Sequence, residues 1–457
     1  MGAELKDPYS YNSADIEEPP LSVPATLRRI GPGILLTAAI VGTGELIATT
    51  RLGAEVGYVM LWAVIGSCLL KSIIQAVWGR YTIVTGETGL RALNHVPGPR
   101  AMNINWVVWT WGALMLLSLV LIGAMYAGVA QVLMQFVPAV AAGAWVVVLT
   151  AITLVVLLWG TYERVEFLAV WMVATFTFMT ICAAAVLMSE PDYFSWAQMA
   201  EGMTFGLPEK GIAVAIAVFG ITGVNAGELS AYTYWCVEKG YARHVGPRED
   251  SDAWRRRANG WIRVMHWDIV VSMVVYTLAT VAFYMLGAGV LHTMGTVPQG
   301  NETIAVLSNM YTQTMGSFGL GVFYVGAVFA LYSTVFAATA ANSRIFSDML
   351  QLVGLFERSD YAARQRYQRM FVVALAIIPC IIYFWTGEPV GMIKAGGMIL
   401  GLMLPVLAWS VVYLRHTHLP GEVRPGGLAT VLLWFAAALS LVAMVGFVGI
   451  QAGLIRG

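Results

Sequence analysis

Long apolar segments separated by short polar connections run through the whole chain. A helix that crosses the hydrocarbon core of a bilayer needs about 20 predominantly apolar residues. Segments of this kind lie at residues 31–52, 58–79, 104–136, 143–160, 163–188, 211–236, 262–287, 316–342, 369–386, 389–414 and 428–452. The pattern therefore predicts an all-α membrane protein with about eleven transmembrane helices, which we number as spans 1 to 11.

Composition agrees with this interpretation and excludes other classes of protein. Of the 457 residues, 58% are hydrophobic and 11% are charged, whereas a soluble domain has about 25% charged residues. No basic patch with interleaved aromatic residues predicts nucleic-acid binding, so membrane lipid is the expected partner. The sequence has no Ser/His/Asp arrangement, histidine-rich cluster or phosphate-binding loop. We therefore expect neither an enzyme nor a cofactor, and no feature specifies an oligomeric state.

The placement of Lys and Arg predicts the orientation in the membrane. With the N-terminus inside, 21 of the 26 basic residues fall in cytoplasmic segments and three fall outside. Cytoplasmic connections carry such an excess of positive charge. The asymmetry predicts a cytoplasmic N-terminus and an external C-terminus, in a plasma membrane of the bacterial type.

The spans divide into two halves with five spans each. An odd number of spans per half means that the second half inserts upside down relative to the first, as in many secondary transporters. The predicted units are a mobile cytoplasmic tail at 1–24, a first repeat at 25–188, a second repeat at 189–414 and a peripheral span at 415–457.

A short phrase occurs in the first span of each half. Residues 41–46 read Val-Gly-Thr-Gly-Glu-Leu, and residues 224–229 read Val-Asn-Ala-Gly-Glu-Leu. A carboxylate at the bilayer centre costs about 2.5–3.5 kcal/mol on insertion scales, and glycine weakens a helix interior by about 1 kcal/mol. The repetition predicts one site built from two broken helices, with the breaks at Gly42, Gly44, Gly223 and Gly227.

Broken helices expose backbone groups that are tolerated only in a cavity or against protein. Together with Glu45 and Glu228, freed carbonyl oxygens would form an anionic site that suits a hard divalent cation. The expected additional ligands are Asn225, Thr43, Thr222 and the carbonyl groups near Val41 and Gly220. Two alternatives stay open: the glycines could serve close helix packing, and each Glu could be the partner of a Lys or Arg.

Several short motifs follow one another in the order and spacing of a known family. They are Gly31-Pro32-Gly33, Gly57-Tyr58, Leu61-Trp62, Gln75, Val84-Thr85-Gly86-Glu87, Asp268 and Leu404-Pro405. In these motifs and in its eleven spans, the chain resembles the Nramp family of divalent-metal transporters. The resemblance implies a LeuT-like inverted repeat, with helices 1 and 6 broken and the substrate held between them.

The chain departs from that family at the site itself. The family has Asp-Pro-Gly-Asn in span 1, where residues 42–45 here read Gly-Thr-Gly-Glu. The family's Met-Pro-His in span 6 is replaced at 223–228 by a segment without Met or His. Because a thioether favours softer transition metals, its absence predicts a harder divalent ion such as Mg²⁺ or Mn²⁺.

The route of proton coupling also differs from the family pattern. Members that couple to protons use acidic and basic residues in spans 3 and 9. Residues 104–136 and 370–386 here contain no Asp, Glu, Lys, Arg or His. The chain is therefore expected to be a uniporter or to exchange protons through Glu45 and Glu228.

Four other polar residues are candidates for coupling or gating. Lys71 could neutralise a site carboxylate when no cation is bound, or it could pair with Glu87 or snorkel to the interface. Asp268 and His266 could line an inner vestibule and accept protons, or Asp268 could cap a helix or pair with Arg263.

A second function is compatible with the same fold. Paired Glu residues and half-helix N-termini could hold the amine and carboxylate of an amino acid or another small organic solute. A cavity with room for a ligand of several atoms would favour this alternative.

Overall fold

The computed structural model describes residues 7–11, 13–159, 162–208, 212–299, 302–387 and 389–451. Long helices dominate these residues. Span 1 consists of the α-helix Pro32–Ile40, the π-helix Val41–Thr49 and the α-helix Thr50–Val56. Span 6 consists of two α-helices, Ile212–Ile221 and Ala226–Lys239, which we call halves 6a and 6b.

The other spans have the following bounds: Leu61–Thr85 (span 2), Trp106–Leu117 with Leu119–Phe136 (3), Ala142–Trp159 (4), Tyr162–Leu187 (5), Asp252–Leu286 with the π-helix Gly287–Leu291 (7), Thr303–Val353 (8), Tyr361–Thr386 (9), Pro389–Thr417 (10) and Gly427–Gln451 (11). Short α-helices lie at Val23–Leu27, Gly89–Leu93, Trp196–Glu201 and Tyr241–Val245, and 3₁₀ turns at Ser13–Asp15, Gly57–Met60 and Gly421–Val423. Strands Arg100–Ala101 and Ile104–Asn105 pair antiparallel in a small hairpin.

Within the described residues, nine helices are long and apolar enough to cross a membrane. These nine helices correspond to the eleven predicted spans, because two spans are joined into one helix and one span is too short to be counted. A 3₁₀ turn joins spans 1 and 2 into one helical stretch, Glu45–Thr85. Span 6 is divided into halves that are each too short to be counted.

Spans 7, 8 and 9 are longer than the apolar pattern predicts. Span 9 begins at Tyr361 rather than at residue 369. Span 7 begins ten residues early because Ser251 caps it, accepting a hydrogen bond from the amide of Trp254 at 3.2 Å. Span 8 extends in both directions beyond 316–342, and Gly316 with φ +64° kinks it where the predicted segment begins. Helix ends that project from the apolar layer are polar, so hydrophobicity alone does not predict them.

The two repeats interlock around spans 1 and 6. Span 7 packs along span 2, span 8 packs on spans 3 and 5, and span 10 packs on span 3 and half 6a. Spans 4, 9 and 11 bury less than a quarter of their residues inside the bundle, as helices at the lipid-facing periphery do. The two carboxylates of the repeated phrase therefore lie in the buried centre of the bundle.

The sequence predicts a mobile N-terminal tail, and the described residues of this tail make several contacts with the helix bundle. Tyr9 donates a hydrogen bond to Glu238 at 2.8 Å, and its ring lies 4.1 Å from the guanidinium of Arg364. The carbonyl of Glu17 accepts a hydrogen bond from the indole of Trp261 at 2.9 Å. The tail thus ties together the ends of spans 6, 7 and 9 on one face, which we call the N-terminal face.

Candidate functional site

The predicted break in span 1 takes the form of a π-helix that covers Val41–Thr49. The backbone stays helical, but its wider turn interrupts the α-helical hydrogen bonding around Gly42 and Gly44. At this junction the hydroxyl of Thr334 on span 8 donates to the carbonyl of Ala39 at 3.1 Å. A Cβ at position 42 would lie 1.9 Å from the Thr334 hydroxyl oxygen, so only glycine permits this approach. π-Helical turns inside α-helices occur frequently at functional sites.

The break in span 6 is a true interruption of the helix between Ile221 and Ala226. Gly223 has φ +66°, a backbone conformation that glycine adopts without strain. Asn225 then caps half 6b, and its side-chain oxygen accepts hydrogen bonds from the amides of Gly227 and Glu228 at 2.9 and 3.1 Å. The sequence thus predicted the location of both interruptions, although they differ in form.

Glu45 connects the two interrupted helices. Its side chain is fully buried, and Oε1 accepts hydrogen bonds from the amide of Gly223 at 2.8 Å and the hydroxyl of Thr280 at 2.9 Å. Its other oxygen, Oε2, is buried without a hydrogen-bond partner among the described residues. An unsatisfied buried carboxylate oxygen is costly, so Oε2 is an acceptor available for a cation.

Glu228 lies in the first turn of half 6b. Its Oε2 accepts a hydrogen bond from the amide of Asn225 at 2.7 Å, which completes a capping box. The side chain lines a cavity of about 70 Å³ between spans 1, 3, 6, 8 and 10, together with Asn225 and the sulfur-bearing side chains of Met115 and Met125. Glu228 therefore has both a structural role in the helix cap and an exposed edge toward a cavity.

The other predicted ligands are placed less favourably for a shared site. The hydroxyl of Thr222 lies 3.1 Å from the hydroxyl of Thr49. Gly220 packs on span 10, where an added Cβ would lie 2.5 Å from the carbonyl oxygen of Gly397. Val41 is fully buried at the start of the π-helix, and the side chain of Thr43 lies outside the described part of the structure. The structure brings together Glu45, Gly223, Asn225 and Glu228 most directly.

Lys71 lies beside the break in span 6. Its ammonium donates hydrogen bonds to the carbonyl oxygens of Phe219 and Thr222, the latter at 2.8 Å. It does not contact Glu87, whose carboxylate is bound by His95 and Tyr81. The side chain is 1% exposed and does not snorkel to the interface.

Asp268 and His266 face different neighbours. Asp268 is fully buried and accepts hydrogen bonds from the amides of Gly31 and Gly33 at 2.9 and 2.7 Å and from the hydroxyl of Tyr232 at 2.9 Å. It therefore caps the N-terminus of span 1. The ring of His266 lies 3.4 Å from the guanidinium of Arg80. The salt bridge between Asp268 and Arg263 is not formed, since Arg263 donates to the carbonyl of Pro20.

Thr280 is the site residue that the sequence argument missed. Its hydroxyl binds Glu45 across 235 positions of sequence. Threonines are common in membrane helices and often donate to their own backbone, as Thr280 also does to the carbonyl of Tyr276 at 2.7 Å. No local signal in the sequence distinguishes it from the other threonines.

Glu87 and His95 form an ion pair outside the spans, with 3.0 Å between Nε2 and Oε2. The hydrogen bond with Glu87 raises the pKa of His95 above its usual value. Burial acts to raise the pKa of Glu87, but hydrogen bonds from His95 and Tyr81 outweigh it, so this pKa is lowered. The pair links the loop after span 2 to the hairpin region on the N-terminal face.

This pair predicts a pH-dependent contribution to stability. Its contribution is complete below the unfolded pKa of histidine, about 6.5, and above that of glutamate, about 4.3, and is lost as the pH rises through the raised pKa of His95. We expect His95→Gln to lower the melting temperature more at pH about 5.5 than at pH about 8.5. Because the pair is partly exposed, the loss in free energy of unfolding should be at most about 1 kcal/mol. Thermal unfolding of both proteins at the two pH values measures this, and an equal loss at both would contradict it.

The residues that the structure describes contain no group of three or more His, Cys, Asp and Glu side chains placed to hold a metal ion. The acidic side chains at the break are Glu45 and Glu228, and the side chains of Thr280 and Asn225 lie beside them.

Comparisons with known proteins give consistent results. The family described as Natural resistance-associated macrophage protein-like (Nramp) matches residues 33–449. The divalent metal cation transporter MntH of Ralstonia nicotianae is 24% identical over 426 residues, which cover 91% of this chain and 89% of that protein. An uncharacterized protein of Pasteurella multocida is 23% identical over 416 residues, which cover 89% of this chain and 88% of that protein.

Solved structures show the same fold at low identity. A mutant manganese transporter of Eremococcus coleocola superposes with a TM-score of 0.66 at 13% identity, covering 96% of this chain and 90% of that chain. The nucleobase-cation-symport-1 family transporter Mhp1 gives 0.60 at 14% identity, covering 95% of each chain. MhsT in complex with L-phenylalanine gives 0.60 at 11% identity, covering 96% of this chain and 100% of that one.

Proposed function

The chain belongs to the Nramp family, and from this membership and the site described above we propose that it is a secondary transporter for a divalent cation. It is an integral, multi-pass membrane protein with the inverted-repeat fold of LeuT-like transporters. We propose that the cation binds between spans 1 and 6 and crosses the membrane by alternating access. The family membership and the geometry of the two interrupted helices support this proposal.

One observation carries the proposal. Glu45 of span 1 is bound into the break of span 6 through Gly223, and its second carboxylate oxygen is left buried without a partner among the described residues. Glu228 lies on the other side of the same break and lines the cavity. The two acidic residues of the repeated phrase therefore converge on one break, as a site for a cation requires.

The size of the cavity favours an ion over an organic solute. A drug-sized ligand occupies a pocket of roughly 300–1,000 Å³, and one water occupies about 30 Å³ of liquid. The cavity of about 70 Å³ beside Glu228 lies well below that range and suits an ion with a few waters. A larger cavity of about 490 Å³ lies beside Ser67, Phe219 and Thr222 at the end of half 6a, but its lining is almost entirely apolar and includes neither Glu45 nor Glu228. It therefore offers no carboxylate for the amine of an amino acid.

The oxygen and sulfur atoms that line the cavity bear on which ion it could bind. Carboxylate, amide and carbonyl oxygens suit Mg²⁺ and Mn²⁺. The cavity also contains Met115 of span 3, whose sulfur lies 3.4 Å from the position of a Cβ added at Gly227. Span 6 has no thioether, but span 3 supplies one to the cavity, so the absence of Met from span 6 gives no reason to favour Mg²⁺ over Mn²⁺. We propose Mg²⁺ or Mn²⁺ as the cargo, and a comparison of the two ions in the next experiment decides between them.

The proposed function is tested by ligand-dependent stability and by uptake. A ligand that binds only the folded protein stabilises it by about 2.7 kcal/mol at 100 times its Kd. We expect Mg²⁺ or Mn²⁺ to raise the melting temperature of the purified protein and to be taken up by proteoliposomes. Stabilisation by amino acids or polyamines, with none by divalent ions, would reject the proposal in favour of the organic solute.

A further inference from the structure

Lys71 occupies an unusual position for a lysine in a membrane-spanning helix. It lies on span 2, is 1% exposed, and points its ammonium at the end of half 6a. There it donates to the carbonyl oxygens of Phe219 and Thr222, and it lies 4.8 Å from the centre of the Phe219 ring. A buried ammonium is costly unless it is fully hydrogen-bonded, so this arrangement reflects a specific local demand for positive charge.

The interruption of span 6 explains why positive charge is needed at this position. Half 6a ends at Ile221, so its last carbonyl groups have no partner within the helix. These groups carry the negative end of the helix dipole, equivalent to about half an elementary charge. In an unbroken helix the next turn would satisfy them, whereas here Lys71 and the hydroxyl of Ser67, at 3.3 Å from the Thr222 oxygen, do so.

The ammonium is directed at these carbonyls rather than at the acidic residues. Within the described part of the chain, its hydrogen bonds go to two backbone oxygens and to no carboxylate. Glu45 and Glu228 lie near enough to interact with Lys71 electrostatically, but they are held by backbone amides. Lys71 thus satisfies the carbonyl end of half 6a without forming a hydrogen bond to either carboxylate.

Transporters with broken helices use such half-helix C-termini and unwound carbonyls to coordinate small monovalent cations. We propose that Lys71 is a tethered cation that takes the place of a coupling monovalent ion at the end of half 6a. This inference deepens the proposed transport function and rests on it only for the uptake measurement. It follows that the cargo crosses without Na⁺ or K⁺, and that removal of the ammonium creates a binding site for a small monovalent cation.

The test compares wild-type protein with Lys71→Ala at constant ionic strength, exchanging Na⁺, K⁺ and Li⁺ for N-methyl-D-glucamine. We expect the melting temperature of the wild type to be independent of the cation present. Lys71→Ala is expected to gain a stabilisation of about 2 °C or more in at least one of the three small cations. Lys71→Arg keeps a positive charge and should show no such gain.

Lys394→Ala is the matched control, because Lys394 also lies within a span but is exposed. It should respond to the cations as the wild type does. A folded, monodisperse Lys71→Ala protein whose stability is the same in all four cations would overturn the proposal.

Wild-type uptake provides a second measurement that requires no folded variant. Divalent uptake should proceed at the same rate in Na⁺, K⁺ and N-methyl-D-glucamine, and a requirement for one of them would overturn the proposal. If no divalent ion is taken up under any condition, the proposed function fails, while the cation response of Lys71→Ala still decides the role of Lys71.

Discussion

Replacing Glu45 by Gln is expected to reduce divalent-cation uptake by about 100-fold or more, since even changes in groups that only orient a metal ligand cost 10–100-fold. The amide retains one oxygen, which can still accept the hydrogen bonds from Gly223 and Thr280. The negative charge and the free carboxylate oxygen Oε2 are lost. The substitution therefore removes the proposed ligand while preserving the contacts that hold spans 1, 6 and 7 together.

Uptake of Mg²⁺ and Mn²⁺ by proteoliposomes measures the effect, and thermal unfolding without metal verifies that the variant folds. Glu87→Gln is the matched control, because Glu87 is a partly buried carboxylate that binds His95 outside the spans. It should leave uptake within about twofold of the wild type. Unchanged uptake by a folded Glu45→Gln protein would reject Glu45 as a ligand and with it the proposed site.

Thr280→Val separates the positioning of Glu45 from its charge. It removes one of the two donors to Oε1 and retains the carboxylate. We expect a smaller loss of uptake, about 10-fold, with no loss of maximal rate at saturating cation, because the ligand is present but less well oriented.

Hydrophobic segments predicted the spans, and the repeated Gly and Glu residues predicted where spans 1 and 6 are interrupted. The apolar pattern located span 4 and span 10 to within three residues, and glycines beside a buried Glu indicated the interruptions at Gly42, Gly44 and Gly223. The predicted break at Gly227 is wrong, because this residue lies in the first turn of half 6b. These predictions depend on local sequence, because a helix interior that contains Gly and an acid is unfavourable wherever it occurs. The form of the break in span 1 depends on span 8, which packs against Gly42, and was not predictable locally.

Partners distant in sequence decide the roles of the individual polar residues. Lys71 could be placed on one face of span 2 from the sequence, but its carbonyl partners lie about 150 positions further along. The packed N-terminal tail is another case, since an acidic, proline-containing segment lacks an apolar pattern of its own and is fixed by contacts such as that of Glu17 with Trp261. Composition and periodicity describe elements, whereas such contacts depend on the complete fold.

Asp268 illustrates how the structure changes the functional interpretation of a residue. The sequence left three roles open: proton acceptor in a vestibule, helix cap and partner of Arg263 in a salt bridge. The structure shows the contacts of a cap, because both carboxylate oxygens accept hydrogen bonds from backbone amides at the start of span 1. Gly33 allows this close approach, since an added Cβ would lie 2.9 Å from Oδ2 and 2.6 Å from the hydroxyl of Ser272. The Gly-Pro-Gly motif at the start of span 1 is thus explained by its contact with span 7.

Replacing Asp268 by Ala should consequently destabilise the protein strongly. Two amides and the hydroxyl of Tyr232 would be buried without their acceptor, at about 1–3 kcal/mol for each unsatisfied group. The N-terminus of span 1 would also lose the carboxylate that opposes its dipole. We expect a large drop in melting temperature and in the yield of monodisperse protein. Asp268→Asn retains an acceptor oxygen and should fold with a smaller loss.

The Asn variant then separates a role in capping span 1 from a role in proton coupling. A residue that caps a helix affects the amount of folded protein, whereas a residue that carries protons affects how transport depends on pH. We expect folded Asp268→Asn to take up divalent cations with the same pH profile as the wild type, measured in proteoliposomes between pH about 5 and 8. A profile that becomes flat or shifts by a unit or more would assign Asp268 to coupling, because the cap alone gives no reason for transport to follow its protonation.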